Sequence, residues 1–365
     1  MRTERRRLPT SEFSSLLLHW YAIHKRELPW RRTHDPYAIW VSEMMLQQTQ
    51  VATATPYFER WMARFPTVKA LADASSEDVL KHWQGLGYYA RARNLHKAAR
   101  LICEQQGGIF PNTYDGVLAL PGVGRYTAGA ICSIALGQDT PIVDANVIRV
   151  LCRVFRIPGD PKSPKTLYAL WEKAAELLPQ GRSGDFNQAL MELGALHCLT
   201  PPRCTSCPVQ NVCGAFQQGQ TELFPAFAGK KAFTTQNDVS LWIEHAGRFL
   251  LIKRPDEGLW GGLYELPRVT ATDDETIEQA AARALEGLVG AKGRVGERLV
   301  SLRHGVTTRK ITLYAVGVEL VDVPDSLVPG LHWATVADLE RYPLSSPQAK
   351  LLSAIQERRT QPTLF

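Results

Sequence analysis

Residues 120–150, LPGVGRYTAGAICSIALGQDTPIVDANVIRV, decide the fold. Leu120-Pro121-Gly122-Val123-Gly124 reads as a tight turn. Pro121 fixes one φ, while Gly122 and Gly124 admit conformations and close approaches that side chains resist. Helix-compatible residues follow at once: Thr127, Ala128, Ala130, Ile131, Ile134, Ala135 and Leu136. Gly137 and Pro141 end that helix. Glycines opening a helix leave its first N–H groups free, which suits an anion. Asp144 then precedes a second apolar run, Val147, Ile148, Val150, Leu151 and Val154. Taken alone, a Gly-x-Gly before a helix favours an ordinary helix-turn-helix connection.

A chain of 365 residues is long enough for two or three domains, each with its own core. Hydrophobic content of 45% and charged content of 21% are those of a globular protein. The formal charge of +6 permits a polyanionic partner without demanding one. Arg2, Arg5, Arg6 and Arg7 read as a solvated tail with no apolar segment behind them, so no secretory signal is expected. No apolar run approaches the roughly 18 residues of a membrane span. A cytosolic monomer is therefore expected.

Seven cysteines do not pair evenly. Cys103, Cys132 and Cys152 sit singly in apolar helical segments, as buried thiols of a reducing compartment do. Cys198, Cys204, Cys207 and Cys213 form C-x5-C-x2-C-x5-C. Four thiolates at this spacing can hold zinc or an iron–sulfur cluster. Zinc sites more often use two cysteine pairs separated by a longer loop. His197, next to Cys198, is an alternative ligand.

The remaining segments supply polar candidates on an apolar frame. Residues 11–33 predict a helix ending near LPWRRT, where Trp30 and Arg31 can stack on and hydrogen-bond a nucleobase or lie in a surface loop. In 36–65, Tyr37, Trp40, Val41, Met44, Met45, Gln48 and Val51 share a helical stripe. Glu43 falls on its flank, so periodicity leaves it partly buried at most. Residues 67–107 predict two helices joined by a turn at Gly85 and Gly87, with Arg91, Arg93 and Lys97 as a basic edge for phosphates. Leu86 and Tyr88 have the chemistry of a wedge between bases, or of a loop anchored in a core. Two more helices are expected in 165–197. A composition shift near 220 leads to a linker at 226–236. DVSLWIEHAGRFLLIKRP then reads as a strand pair turning at Ala246-Gly247, followed by a helix over 275–288.

LPGVGRYTAGAI with PIVDANVIRVLCR resembles the helix-hairpin-helix and catalytic aspartate of the DNA glycosylase superfamily that includes endonuclease III. WVSEMMLQQTQVATATPYFERWMARFP, GLGYYARARNLHKAA and FNQALMELGALHC are similar to its adenine-specific branch, of the MutY type. The resemblance runs from about residue 13 to 350. It implies a multidomain fold: an all-α helix-hairpin-helix glycosylase domain over 1–225 carrying a [4Fe–4S] cluster on the four cysteines, and an α+β Nudix-like domain over 237–360. It implies that Gly122, Val123, Gly124 and Asn146 meet a DNA phosphate. It places Trp30, Arg31, Gln48, Thr49, Leu86, Tyr88 and Gln188 around the substrate. Glu43, Tyr126 and Asp144 become the catalytic group.

The implied reaction is hydrolysis of the N-glycosidic bond of adenine mispaired with 8-oxoguanine or guanine in duplex DNA. Glu43 is the expected general acid and Asp144 the opposing carboxylate, with Tyr126 within reach of Asp144. Bifunctional relatives carry a lysine in the hairpin, whereas GVGRYTAG has none, so strand cleavage is not expected. Two departures from the family stand out. The first cysteine spacer has five residues where the family usually has six. Val306, Thr307 and Thr308 stand where the family reads the lesion with Phe-Ser-His, leaving Thr307 and Thr308 as candidate purine contacts. The helix ETIEQAAARALEGLVG lacks the carboxylate run of a magnesium-dependent Nudix hydrolase, so the domain is read as a binder. Gln361, Leu364 and Phe365 in the terminal QPTLF resemble a short sliding-clamp-binding peptide.

Overall fold

A computed structural model describes residues 10–229, 232–323 and 327–360. Gln361, Leu364 and Phe365 lie outside the described residues. Two compact units emerge. One comprises residues through Asp73 together with Lys97–Gly229; the other combines Ala74–His96 with the chain from Lys230 onward.

The first unit is helical. Its elements are α1 (Thr10–His24), α2 (Pro36–Leu46), α3 (Val51–Arg64), α4 (Val68–Ala72), most of α6, α7 (Tyr114–Leu118), α8 (Arg125–Ile134), α9 (Ala145–Val154), α10 (Pro164–Glu176), α11 (Ser183–Leu196) and α12 (Gly214–Gln217). Between α4 and α6 (Ala90–Gln106) comes α5 (Ser76–Trp83), which belongs to the second unit. The helical core forms where α1, α9 and α11 bring their apolar stripes together. Phe13 and Leu17 meet Val147, Val150, Leu151, Phe186, Leu190 and Leu193. Phe13 contacts the Phe155 and Phe186 rings edge-on at 5.5 and 6.3 Å.

The stripe expected across 36–65 is broken. α2 stops at Leu46 and α3 starts at Val51, with Gln48 at φ 58° between them. The left-handed turn ends the 3.6-residue repeat. Every residue from Tyr37 to Met45 is buried. A helix enclosed on all sides has no solvent face to reveal by periodicity, and Glu43 is accordingly only 4% exposed rather than half-solvated.

The second unit is built on a sheet. Its strands are β1 (Thr234–His245), β2 (Arg248–Lys253), β3 (Tyr264–Glu265), β4 (Arg268–Thr270), β5 (Gly293–Val306), β6 (Arg309–Leu320) and β7 (Leu331–Ala334). The order is β3-β2-β1-β6-β5, with β4 on β1 and β7 on β2. β1 and β6 are parallel, while β5 and β6 form an antiparallel hairpin. Alternation along β1 sends Val239, Leu241 and Ile243 to the face covered by α13 (Ile277–Ala284), and Trp242 to the face covered by α14 (Ser346–Thr360). Ala246 and Gly247, at φ 48° and 72°, make the expected turn. A capping box between Thr276 and Gln279 starts α13, and a π turn over Leu285–Val289 ends the helical run.

Within the 1–225 span expected for the first domain, residues 74–96 group with the sheet unit. Residues 74–96 pack with the sheet unit through Tyr89, which donates to the Leu344 carbonyl at 3.1 Å, and Gln84, which accepts from the Leu344 N–H at 3.2 Å. Within the same unit Arg93 donates to the Gly261 carbonyl at 2.7 Å. Arg91 is buried over the Trp83 ring and donates to the carbonyls of Leu86 and Gly87, both at 3.0 Å. Arg91 thus holds its own loop and Arg93 the loop at Gly261, so neither forms the expected free basic edge; Lys97 stays exposed. Leu86 is buried, so it is no free wedge, whereas Tyr88 is 47% exposed at φ 47°.

Candidate active site

The sequence LPGVG makes a turn between α7 and α8. Gly122 adopts φ 76° and Gly124 caps α8 without a side chain. The first-turn N–H groups of α8 are thus left to an external acceptor. Val123 differs from the expectation, because its N–H donates to the Leu120 carbonyl at 3.1 Å. Gly129 lets α8 run against the next segment: a Cβ there would lie 2.3 Å from the Pro141 carbonyl oxygen.

Asp144 caps α9, accepting from the Val147 N–H at 2.7 Å and from Asn146 Nδ2 at 3.0 Å. Asn146 in turn accepts from Arg149 Nη2 at 2.9 Å. The Asn146 side chain, expected at a phosphate, is thus engaged with Asp144. α11 approaches α9 closely because position 194 is glycine; a Cβ there would sit 2.5 Å from Asn146 Cβ.

A cavity of about 670 Å³ opens where α2, α8, α9 and α11 converge. Glu43, Tyr126, Asp144, Trp30, Arg31, Gln48, Thr49, Asn146 and Gln188 all line it. Tyr126 donates its hydroxyl to Glu43 Oε2 at 2.6 Å and to Met191 Sδ at 3.1 Å. Its partner is Glu43 and not, as expected, Asp144. Trp30 is buried edge-on against Phe58 at 5.4 Å. Arg31 lies over the Tyr21 ring at 5.4 Å. Gln188 lines the cavity and donates to the Gly184 carbonyl at 3.3 Å.

Burial dominates the electrostatics. It pushes Glu43 up to about 7; the Tyr126 hydrogen bond and Arg31 oppose this, and the Asp144 charge adds to it. Burial also raises Asp144, against the hydrogen bonds from Val147 and Asn146. The Tyr126 phenol is driven well above its usual range by burial and both carboxylates. Near neutral pH the site therefore holds one carboxyl poised to carry a proton beside a second carboxyl, with the phenol kept neutral.

Sequence reasoning missed Glu192, Arg26 and Met191. Glu192 is 1% exposed on α11 and accepts from Arg26 at 2.8 and 2.7 Å and from Arg31 Nη2 at 2.9 Å. Burial alone would raise its pKa, but the Arg26 and Arg31 bonds outweigh burial and bring it down to about 2. The available signal was the spacing: Gln188 and Glu192 stand four apart, on one helix face.

Cys198, Cys204, Cys207 and Cys213 line one small apolar cavity of about 20 Å³. Burial, and then the neighbouring thiols, raise Cys204, Cys207 and Cys213, with Cys207 pushed to about 12. Arg153 donates to Cys198 Sγ at 3.4 Å and to the Leu199 carbonyl at 2.6 Å. His197 also lines this cavity, with its Nδ1 3.3 Å from Ser206 Oγ. In the sheet unit, Val306 and Arg309 pair across a two-residue tip. Thr307 sits there at φ 54°, its hydroxyl donating to the Val306 carbonyl at 2.7 Å. Among the described residues no helix is long and apolar enough to cross a membrane.

Residues 41–176 match the HhH-GPD superfamily base excision DNA repair proteins, and residues 239–354 match the NUDIX domain. The adenine DNA glycosylase of Homo sapiens is 38% identical over 94% of this chain and 74% of its own length. That of Mus musculus is 37% identical over 95% and 78%. That of Buchnera aphidicola subsp. Acyrthosiphon pisum is 39% identical over 73% and 76%. Among solved structures, a thermostable thymine-DNA glycosylase matches with TM-score 0.53 at 30% identity, over 57% of this chain and 97% of that one. An endonuclease III–DNA complex shares the helical fold with TM-score 0.50 at 21% identity, over 58% and 98%. The hairpin, the paired carboxylates and these relatives agree: the chain belongs to the adenine DNA glycosylases, base-excision-repair enzymes that join a helix-hairpin-helix domain to a Nudix-like domain.

Proposed function

We propose that the chain excises adenine mispaired with 8-oxoguanine or guanine by a two-carboxylate hydrolysis, and leaves the DNA strand uncut. The observation that carries this reading is the buried group of Glu43, Tyr126 and Asp144 in one cavity, with Glu43 raised to about 7.

The target adenine must leave the stack, because its glycosidic bond is inaccessible there. Gln48, at the left-handed break after α2, suits the gap left behind. Glu43 protonates a base nitrogen, which turns adenine into a competent leaving group. The C–N electrons depart with the base and leave an oxocarbenium-like sugar. Asp144 opposes that charge, as the second carboxylate does in retaining glycosidases. Glu43, now ionised, accepts a proton from the incoming water. Arg31, Gln188 and Glu192 hold hydrogen-bonding edges around the base. Tyr126 carries no amine and its phenol stays protonated, so the Schiff-base route to strand cleavage lacks its nucleophile.

The four cysteines fit an iron–sulfur cluster: they share one cavity, and burial of thiols side by side disfavours their thiolates until a cationic centre joins them. A [4Fe–4S] cluster on Cys198, Cys204, Cys207 and Cys213 would act there as a structural staple for the loop after α11. The Nudix-like unit is proposed to read the opposing purine, with Thr307 and Thr308 at its hairpin tip.

The test is single-turnover adenine release from duplexes holding adenine opposite 8-oxoguanine, guanine or thymine, with Glu43→Gln as control. Rapid release that depends on Glu43, without alkali-independent nicking, is expected. Release undiminished in Glu43→Gln, or strand cleavage lost in Tyr126→Phe, would overturn the reading.

A further inference from the structure

Met191 lines the cavity on α11 between Gln188 and Glu192, and the reaction outlined above gives it no task. Its sulfur lies 3.1 Å from the Tyr126 hydroxyl, which is also 2.6 Å from Glu43 Oε2. The phenol has one proton and two acceptors. Against an ionised Glu43 a thioether cannot compete, because a carboxylate makes the stronger, charge-assisted bond. Against a protonated Glu43 the balance is closer, since the carboxyl is then neutral.

The groups facing Glu43 are Tyr126 from α8, Asp144 at the start of α9, and Arg31 from the turn before α2. From α11, Glu192 is tied to Arg26 and Arg31, which leaves Met191 as that helix's contact to the phenol. We propose that Met191 is a positioning residue: its sulfur holds the Tyr126 hydroxyl while Glu43 carries its own proton, and gives the hydroxyl back once that proton has passed to the base. No covalent bond of Met191 changes; the phenol O–H rotates between two acceptors. The inference rests on Glu43 as the proton donor.

A second acceptor for the phenol favours the protonated form of Glu43. Without it, the phenol donates to Glu43 in both states and favours the carboxylate. The alkaline limb of adenine release should then move to lower pH.

The experiment is single-turnover release from a duplex with adenine opposite 8-oxoguanine, measured across pH. Met191→Leu keeps the volume and removes the acceptor. Its alkaline midpoint is expected to fall by about half a pH unit, about threefold in proton affinity. Met191→Gln restores an acceptor of similar reach and should return the midpoint to the parent value or above it. In a Tyr126→Phe background, Met191→Leu should leave the midpoint where that background puts it. A midpoint unmoved in Met191→Leu would overturn the inference. So would equal falls in the Leu and Gln variants, or a shift that persists without the phenol. Thermal melting of each variant separates these outcomes from loss of fold. Loss of release in Glu43→Gln with an unmoved Met191→Leu midpoint removes only this inference, whereas release retained in Glu43→Gln removes the catalytic reading itself.

Discussion

Glu43 is the residue in which burial and chemistry are most directly linked. Its pKa is raised from 4.5 to about 7 because α2 is enclosed on every side. At low pH the carboxyl is neutral in both the folded and the unfolded chain, and folding loses nothing. As pH rises from the unfolded pKa toward 7, the unfolded chain ionises first and stability falls, reaching its floor above about 7. Glu43→Gln should therefore raise the melting temperature at pH 8 and leave it nearly unchanged at pH 4, a difference on the order of 3 kcal/mol. Under the proposed reaction the same ionisation is expected to set the alkaline side of catalysis, since only the protonated acid can serve adenine. Asp144 is a helix cap and the proposed counter-charge. Asn caps as well as Asp, whereas Ala costs about 1 kcal/mol. Asp144→Asn is expected to melt near the parent and release adenine far more slowly. Asp144→Ala should be slow and also less stable, as calorimetry beside single-turnover assays would show.

At the scale of elements, the site depends on how closely α9 and α11 approach. Gly194 allows it, because a Cβ there would fall 2.5 Å from Asn146 Cβ and 3.0 Å from Asn146 Cα. In an isolated helix Gly→Ala would gain up to about 1 kcal/mol. Here overpacking between two helices costs about 1–3 kcal/mol, so the clash prevails. Asn146 bonds to Asp144, so pushing α9 outward also displaces the carboxylate. Gly194→Ala should lower both melting temperature and adenine release. A variant that melted higher and kept full activity would show that the two helices can part freely. The break between α2 and α3 matters in the opposite way: left-handed Gln48 interrupts a helical stripe and puts polar side chains at the cavity.

At the scale of the whole molecule, the chain divides into two units, and residues 74–96 belong to the second of them. The four-cysteine loop follows α11, the helix that lines the active-site cavity. Iron analysis of the purified chain should give about four irons, and Cys207→Ser should lose iron and melt lower together. Iron-free protein of unchanged stability would argue for a loop that needs no staple. At the hairpin tip proposed to read the lesion, Thr307 holds a left-handed conformation that a β-branched residue resists. Its hydroxyl proton is already committed to the Val306 carbonyl. What remains for a purine is an acceptor, so a purine N–H is the edge it can hold.

Much of this protein was legible in its residues because the features are local. The LPGVG turn, the helix after it, Asp144 at a cap and the Ala246-Gly247 hairpin each follow from φ preferences and hydrogen bonding within a few positions. Family strings then identified Glu43, Asp144 and Gln188 around one cavity. Tertiary structure alone decided the rest, because it turns on which surfaces meet. Glu43 is buried since α2 is surrounded, a condition that helical periodicity cannot report. Tyr126 faces Glu43 rather than Asp144 because α8 crosses α2 there. Arg91 turns back onto its own loop, and Arg93 is taken up by the Gly261 carbonyl, distant in sequence. Glu192 is ionised at 1% exposure because two arginines from the far end of the helical unit converge on it, a meeting no local pattern encodes.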